Sequence, residues 1–211
     1  MSRTQSTPHT FVSRLAALIA AGLFALTAAS AFAQTQPEAV IPSLITQPIN
    51  PEVRVTLQHN VHPLAQARYD QGIAPGSMAT GRIMLVLKRS DMQEQALKEY
   101  LGDLQNPNSP NYRKWLTPAQ FGNLYSISNS DLTTVTAWLQ SQGFTIDKIP
   151  QARNVIIFSG NVAQIQQAFN TSIHKYLING ETHFANSTDP QVPAALAPVI
   201  AGIAQLNDFR P

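Results

Sequence analysis

The chain has 211 residues, with 14 Lys and Arg, 12 Asp and Glu, no cysteine, and 44% hydrophobic residues. Without cysteine there is no disulfide scaffold, so stability rests on a hydrophobic core. The formal net charge of +2 comes from Arg3 and Arg14 alone, and residues 34–211 hold equal numbers of each sign; this excludes the basic footprint of a nucleic-acid binder.

Residues 1–33 have the layout of a secretory leader: a basic start, the apolar run Leu15 to Ala29, then the small residues of Ala31-Phe32-Ala33. The run is shorter than the roughly 20 residues of a membrane span. Cleavage is expected between Ala33 and Gln34, giving a secreted or periplasmic product with no stable membrane insertion. Gln34 to Glu52 carries Pro37, Pro42, Pro48 and Pro51 without an aromatic residue and reads as an extended linker. The folded domain is expected over residues 53–211.

Val53 to Leu57 alternates and reads as a short strand, after which the pattern lapses from Asn60 to Gly81 into a loop. Ile83 to Leu87 is a continuous apolar run, as expected of a central strand. Ser90 with Gln93 forms a capping-box start for a helix whose face is Ala96, Leu97, Tyr100, Leu101 and Leu104. After two prolines in Asn106 to Pro110, Thr117-Pro118 with Gln120 opens a second helix bearing Phe121, Leu124 and Tyr125. Ser130 is the expected cap of a third, with Leu132, Val135, Trp138 and Leu139 as its stripe and Gly143 as its stop.

Phe144 to Ile149 and Asn154 to Ser159 are expected to pair as an antiparallel hairpin. Asn161 with Gln164 caps a fourth helix with Val162, Ile165 and Phe169 inward. Thr171 to Ile178 then returns as a strand, and Asn179-Gly180 turns it into Thr182 to Ala185. Strand, helices, strand, strand, helix, strand is the order of an α+β, ferredoxin-like split βαβ domain, an antiparallel sheet with helices packed on one face. The other face is then left for a partner.

Four segments in this order, SPNYRKWLTPAQFG (109–122), TAWLQSQGF (136–144), FSGNVAQIQQAFNTSIHKY (158–176) and FANSTDPQVPAALAPVIAGIAQLNDFRP (184–211), carry a resemblance to a known family. The chain resembles the activation prodomain of the sedolisin/kumamolisin serine-carboxyl peptidases, from about Val53 to Arg210. That resemblance implies a folding chaperone and inhibitor of a sedolisin-type catalytic domain, bound in cis in the family, with binding in trans as the other arrangement open to this chain. The family's catalytic serine, glutamate and aspartates and its calcium site belong to the domain that follows the prodomain. No segment here matches them, so no catalytic residue, cofactor or metal ligand is carried over and the chain is read as a non-enzyme. The other reading is an extracellular binding module that keeps this fold without a peptidase partner. An RNA-binding domain is disfavoured, because NVIIFSG lacks the aromatic pattern that stacks bases.

In the family a linker leads from this point to the substrate cleft, so Leu206, Asn207, Asp208, Phe209, Arg210 and Pro211 are the candidate cleft-directed tail. Release in the family is triggered by acid. His174, His183, Asp189 and Asp208 are the candidate pH-switch residues, with Asp131, Asp147 and Glu181 as further carboxylates. Trp138 belongs on a core stripe, and Trp115 is expected to pack within the domain. His59 and His62 are three apart in a non-helical segment and read as loop residues. Asn170 and Asn186 open N-x-[ST] sequons.

Overall fold

The computed structural model describes residues 41–209. The expected leader with its Ala33/Gln34 junction, and Arg210 and Pro211 of the tail, lie outside the described residues. In chain order the elements are β1 (Arg54–Thr56), β2 (Asp70–Ile73), β3 (Ala79–Leu87), α1 (Asp91–Gln105), α2 (Pro118–Tyr125), α3 (Asn129–Ser141), β4 (Thr145–Lys148), β5 (Val155–Asn161), α4 (Val162–Phe169), β6 (Ile173–Ile178), β7 (Glu181–Asn186), β8 (Gln191–Pro193) and β9 (Ile200–Ala204).

The principal sheet has the order β4-β5-β3-β9 with every pair antiparallel, which is the expected split βαβ arrangement. Its fourth strand, however, is Ile200–Ala204 and not the Thr171 to Ile178 segment. That segment forms β6, which pairs with β2 and β7 in a separate three-stranded sheet, while β1 and β8 make a two-stranded ribbon. The loop expected from Asn60 to Gly81 holds β2 and the start of β3.

Alternation along the strands divides the principal sheet into two faces. Ile83 and Leu85 of β3 lie across from Phe158 and Ile156 of β5, Leu85 also lies across from Ile203 of β9, and all five are buried. Over this face pack Val135, Trp138 and Leu139 of α3 and Val162, Ile165 and Phe169 of α4. Trp138 meets Phe169 edge-on at 5.5 Å, and Phe144 lies 4.9 Å from Phe158 and 5.9 Å from Phe169. Each such side chain contributes about 1.5–3 kcal/mol by leaving water, so the layer of β3, β5, α3 and α4 is the stable centre of the domain.

Helix starts follow the sequence closely. Ser90 with Gln93, Thr117 with Gln120, and Asn161 with Gln164 form reciprocal capping boxes. The exception is α3, whose cap is Ser128 and not Ser130: the Ser128 hydroxyl accepts from the Asp131 N–H at 3.0 Å, and Asn129 and Ser130 join the first turn. Gly143 follows α3 with φ of 85°, the left-handed stop its position predicts.

The described part of the proline-rich segment is extended but does not hang free. Leu44, Ile45 and Ile49 pack against the core. The fully buried Asp131 carboxylate accepts from the Ser43 hydroxyl (2.5 Å) and from the backbone N–H groups of Leu44 (2.9 Å) and Ile45 (3.0 Å). A carboxylate in the first turn of a helix is favoured by the helix dipole, and here it ties the arm to α3.

Helices α1 and α2 are held by polar clasps. Gln93 donates to the carbonyls of Leu124 (3.3 Å) and Ser126 (2.9 Å), and Arg89 donates to that of Tyr125 (2.7 Å). Arg153, at the β4/β5 turn, donates to the Gly122 carbonyl and the Asn123 side chain. These bonds satisfy carbonyls that the end of a helix leaves without partners. Of the residues of α1, only Leu104 is buried.

Candidate docking surface

The face of the principal sheet turned away from α3 and α4 carries Met84, Val86, Val155 and Ile157. They pair across strands (Met84 with Ile157, Val86 with Val155), are partly exposed, and lie outside the buried core cluster. Arg82 and Lys148, also on this face by register and exposed, flank them. Toward β9 the face is closed by Asn60, whose side-chain oxygen accepts from Ile203 N–H at 2.8 Å and whose amide nitrogen would sit 3.2 Å from a Cβ at Gly202. The open part is an apolar patch between two cations, suited to an apolar protein surface bordered by carboxylates.

The C-terminal segment leaves the sheet by a fixed path. Leu206 is buried in the core. Asp208 exchanges two hydrogen bonds with Phe184, its N–H to the carbonyl at 3.1 Å and its carboxylate from the N–H at 2.8 Å. Phe209 is sandwiched between the rings of His62 (4.3 Å) and His183 (4.6 Å). His183 also places Nδ1 3.4 Å from Asp208 and Nε2 3.8 Å from Glu181. Residues 206–209 thus dock on their own domain, with the residues after Phe209 outside the described chain.

The candidate pH-switch residues do not gather in one place. His183 and Asp208 meet, as above. His174 and His183 share a face of the β6/β7 pair, but the residue directly across from His183 is Tyr176. His174 instead sets Nδ1 2.8 and 3.0 Å from the two carboxylate oxygens of Asp70 on β2. The N–H of Gly72, first, and the His174 ring hold the Asp70 carboxyl below the usual carboxylate range, against the opposing effect of its partial burial. Asp189 faces backbone, accepting from the N–H groups of His59 (3.2 Å), Asn60 (2.7 Å) and Val61 (3.2 Å). Asp147 accepts from the Ser159 hydroxyl at 3.0 Å, and Asp131 binds the arm.

Sequence reasoning missed Asp70 and His62 as partners in these contacts. Asp70-Gln71-Gly72 does carry a local signal, an aspartate that accepts from the N–H two residues on (2.6 Å). The place of His62 against Phe209 follows only from the tertiary fold. Of the two sequons, Asn170 is exposed, whereas Asn186 is fully buried, with its amide donating to the carbonyls of Asn60 (3.1 Å) and Thr188 (2.9 Å). Trp138 is buried as its stripe predicts. Trp115 is 73% exposed, contrary to the expectation of packing within the domain, because its loop runs outside the α1/α2 corner.

Residues 66–209 match the family model described as the pro-kumamolisin activation domain. The chain belongs to this family. Among relatives of the activation-domain chain, xanthomonalisin of Xanthomonas sp. (strain T-22) is 32% identical over 113 residues, which are 54% of this chain and 14% of that protein. Sedolisin of Pseudomonas sp. (strain 101) is 27% identical over 129 residues, 61% of this chain and 22% of the relative. Human tripeptidyl-peptidase 1 is 26% identical over 148 residues, covering 66% and 26%. The chain therefore spans about a quarter or less of the length of these relatives. No helix among the described residues is long and apolar enough to cross a membrane.

Proposed function

We propose that this chain is a secreted activation domain that assists the folding of a sedolisin-type serine-carboxyl peptidase and inhibits it until release, without proteolytic chemistry of its own. One observation carries the reading: an apolar, cation-flanked sheet face, only partly buried, on the side turned away from α3 and α4. A domain that binds the native peptidase and not its unfolded chain stabilises the native state by linkage. An interface of ordinary size, about 1,200–2,000 Å2 in total, would bring in the sheet face together with neighbouring elements. The partner is engaged in cis in a longer precursor or in trans.

Leu206 to Phe209 act in this reading as the anchor that aims the following residues toward the cleft, so the cleft-directed part begins after Phe209. Acid release draws on His183 with Asp208 and on His174 with Asp70, while Asp189 keeps the loop at residues 59–61 in place. The test is to refold denatured mature xanthomonalisin with and without the exported chain, and to measure inhibition of the native enzyme. The reading predicts a higher refolding yield and inhibition at or below ~1 μM, a binding free energy of about 8 kcal/mol. No effect on either would favour an extracellular binding module that does not serve a peptidase.

A further inference from the structure

Trp115 is 73% exposed, and the chain goes to some length to hold it there. The loop between α1 and α2 is pinned before any partner arrives. Arg113 N–H donates to the Leu104 carbonyl (3.1 Å), Lys114 N–H to that of Asn111 (3.0 Å), and Trp115 N–H to that of Arg113 (3.1 Å). The Tyr100 hydroxyl donates to the Lys114 carbonyl, and the Asn111 amide donates to Asp103 at 2.9 Å. Arg113 takes a left-handed φ of 56°, a conformation unfavourable for a residue with a side chain and kept only where the surroundings impose it.

A large aromatic side chain on a rigid loop loses little freedom when it is buried by a partner, and such residues dominate interface energetics. Leu101, on the helix to which the loop is tied, is 47% exposed as well. The charges select the kind of partner. Arg113 and Lys114 directly precede Trp115, so a two-fold contact between copies centred there would set like charges against one another. An anionic bilayer, negative throughout, would also meet Glu99 and Asp103 toward the C-terminal end of α1. A folded protein can instead set carboxylates against Arg113 and Lys114 alone, at the rim of an apolar pocket, and so suits both features.

We propose that the corner between α1 and α2 is a second contact surface for the peptidase, with Trp115 seated in an apolar, acid-rimmed pocket of its folded domain. This rests on the functional reading above. The family match supplies the occupant, since relatives several-fold longer than the matched segment carry more chain for it to meet.

The test uses the exported chain labelled with 5-fluorotryptophan and mature xanthomonalisin inactivated by substitution of its catalytic serine, followed by fluorine NMR. Trp115→Phe assigns the Trp115 signal, which in the free chain shows the solvent isotope shift of an exposed ring. On adding the peptidase, that signal should move and lose the isotope shift. Trp115→Ala should weaken binding by about 30-fold with an unchanged thermal midpoint, since the ring makes no core contact. If the peptidase binds wild type and Trp115→Ala equally and the isotope shift persists, the second surface is refuted while the sheet-face reading stands. If wild type does not bind at all, both fail. Loss of the isotope shift on concentrating the chain alone would assign the ring to self-association and overturn the proposal.

Discussion

Carboxylates divide here between those that fix the chain and those that respond to acid. Asp131 is the clearest of the first kind, accepting three hydrogen bonds from Ser43, Leu44 and Ile45 with no exposure. Asp131→Asn keeps the size but loses one acceptor and the charge, leaving at least one buried donor unpaired at about 1–3 kcal/mol. Urea unfolding should register that loss, and hydrogen exchange should show the Leu44 and Ile45 amides exposed before the rest of the domain. Asp70 is of the second kind. Its folded pKa lies below its unfolded value, so its contribution is complete above the unfolded value, near pH 4, and disappears as pH falls through the lower, folded value. The tie between β2 and β6 therefore outlasts mild acid. Below about pH 4, wild type should lose stability with falling pH more steeply than Asp70→Asn; parallel urea midpoints through that range would refute the assignment.

At the scale of elements, two glycines separate packing from propensity. A Cβ at Gly122 of α2 would collide with the Gln151 carbonyl, whereas at Gly102 of α1 it would meet nothing within 4 Å. Gly122→Ala should lower stability by about 1–3 kcal/mol by pushing α2 off the β4/β5 turn, and Gly102→Ala should raise it by up to about 1 kcal/mol; differential scanning calorimetry of the pair decides. Much of the fold was legible because its signals are local. Three capping boxes, the Gly143 stop and the Asn179-Gly180 hairpin lie within a few residues of what they control. β9 was illegible because IAGIA neither alternates nor carries β-branched residues beyond its isoleucines, and it becomes a strand only by pairing with β3. β8, three residues long, likewise exists through its ladder to β1. With β9 hidden, the fourth place in the sheet fell to β6, a better strand by composition. The candidate site was legible in part: His183 and Asp208 meet as their positions allow, whereas the Asp70 and His62 contacts bring together residues over 100 apart in sequence that no local pattern relates.

For the molecule as a whole, a principal sheet with α3 and α4 packed on one face has to account for the other face, and the partly exposed Met84, Val86, Val155 and Ile157 there fit a surface that a partner covers. In the proposed function, the arm tied to Asp131, the anchored residues 206–209 and the pinned Trp115 loop serve a common end, a surface that needs little rearrangement when a peptidase docks. The most direct measurement is inhibition of mature xanthomonalisin by wild type and by the Met84→Asp/Ile157→Asp double variant, with thermal melts of both. The variant should remain folded, because neither side chain belongs to the core cluster, and its inhibition constant should rise by about 100-fold or more, as expected when charge is placed at the centre of an apolar interface. Undiminished inhibition by a folded double variant would contradict the proposed function.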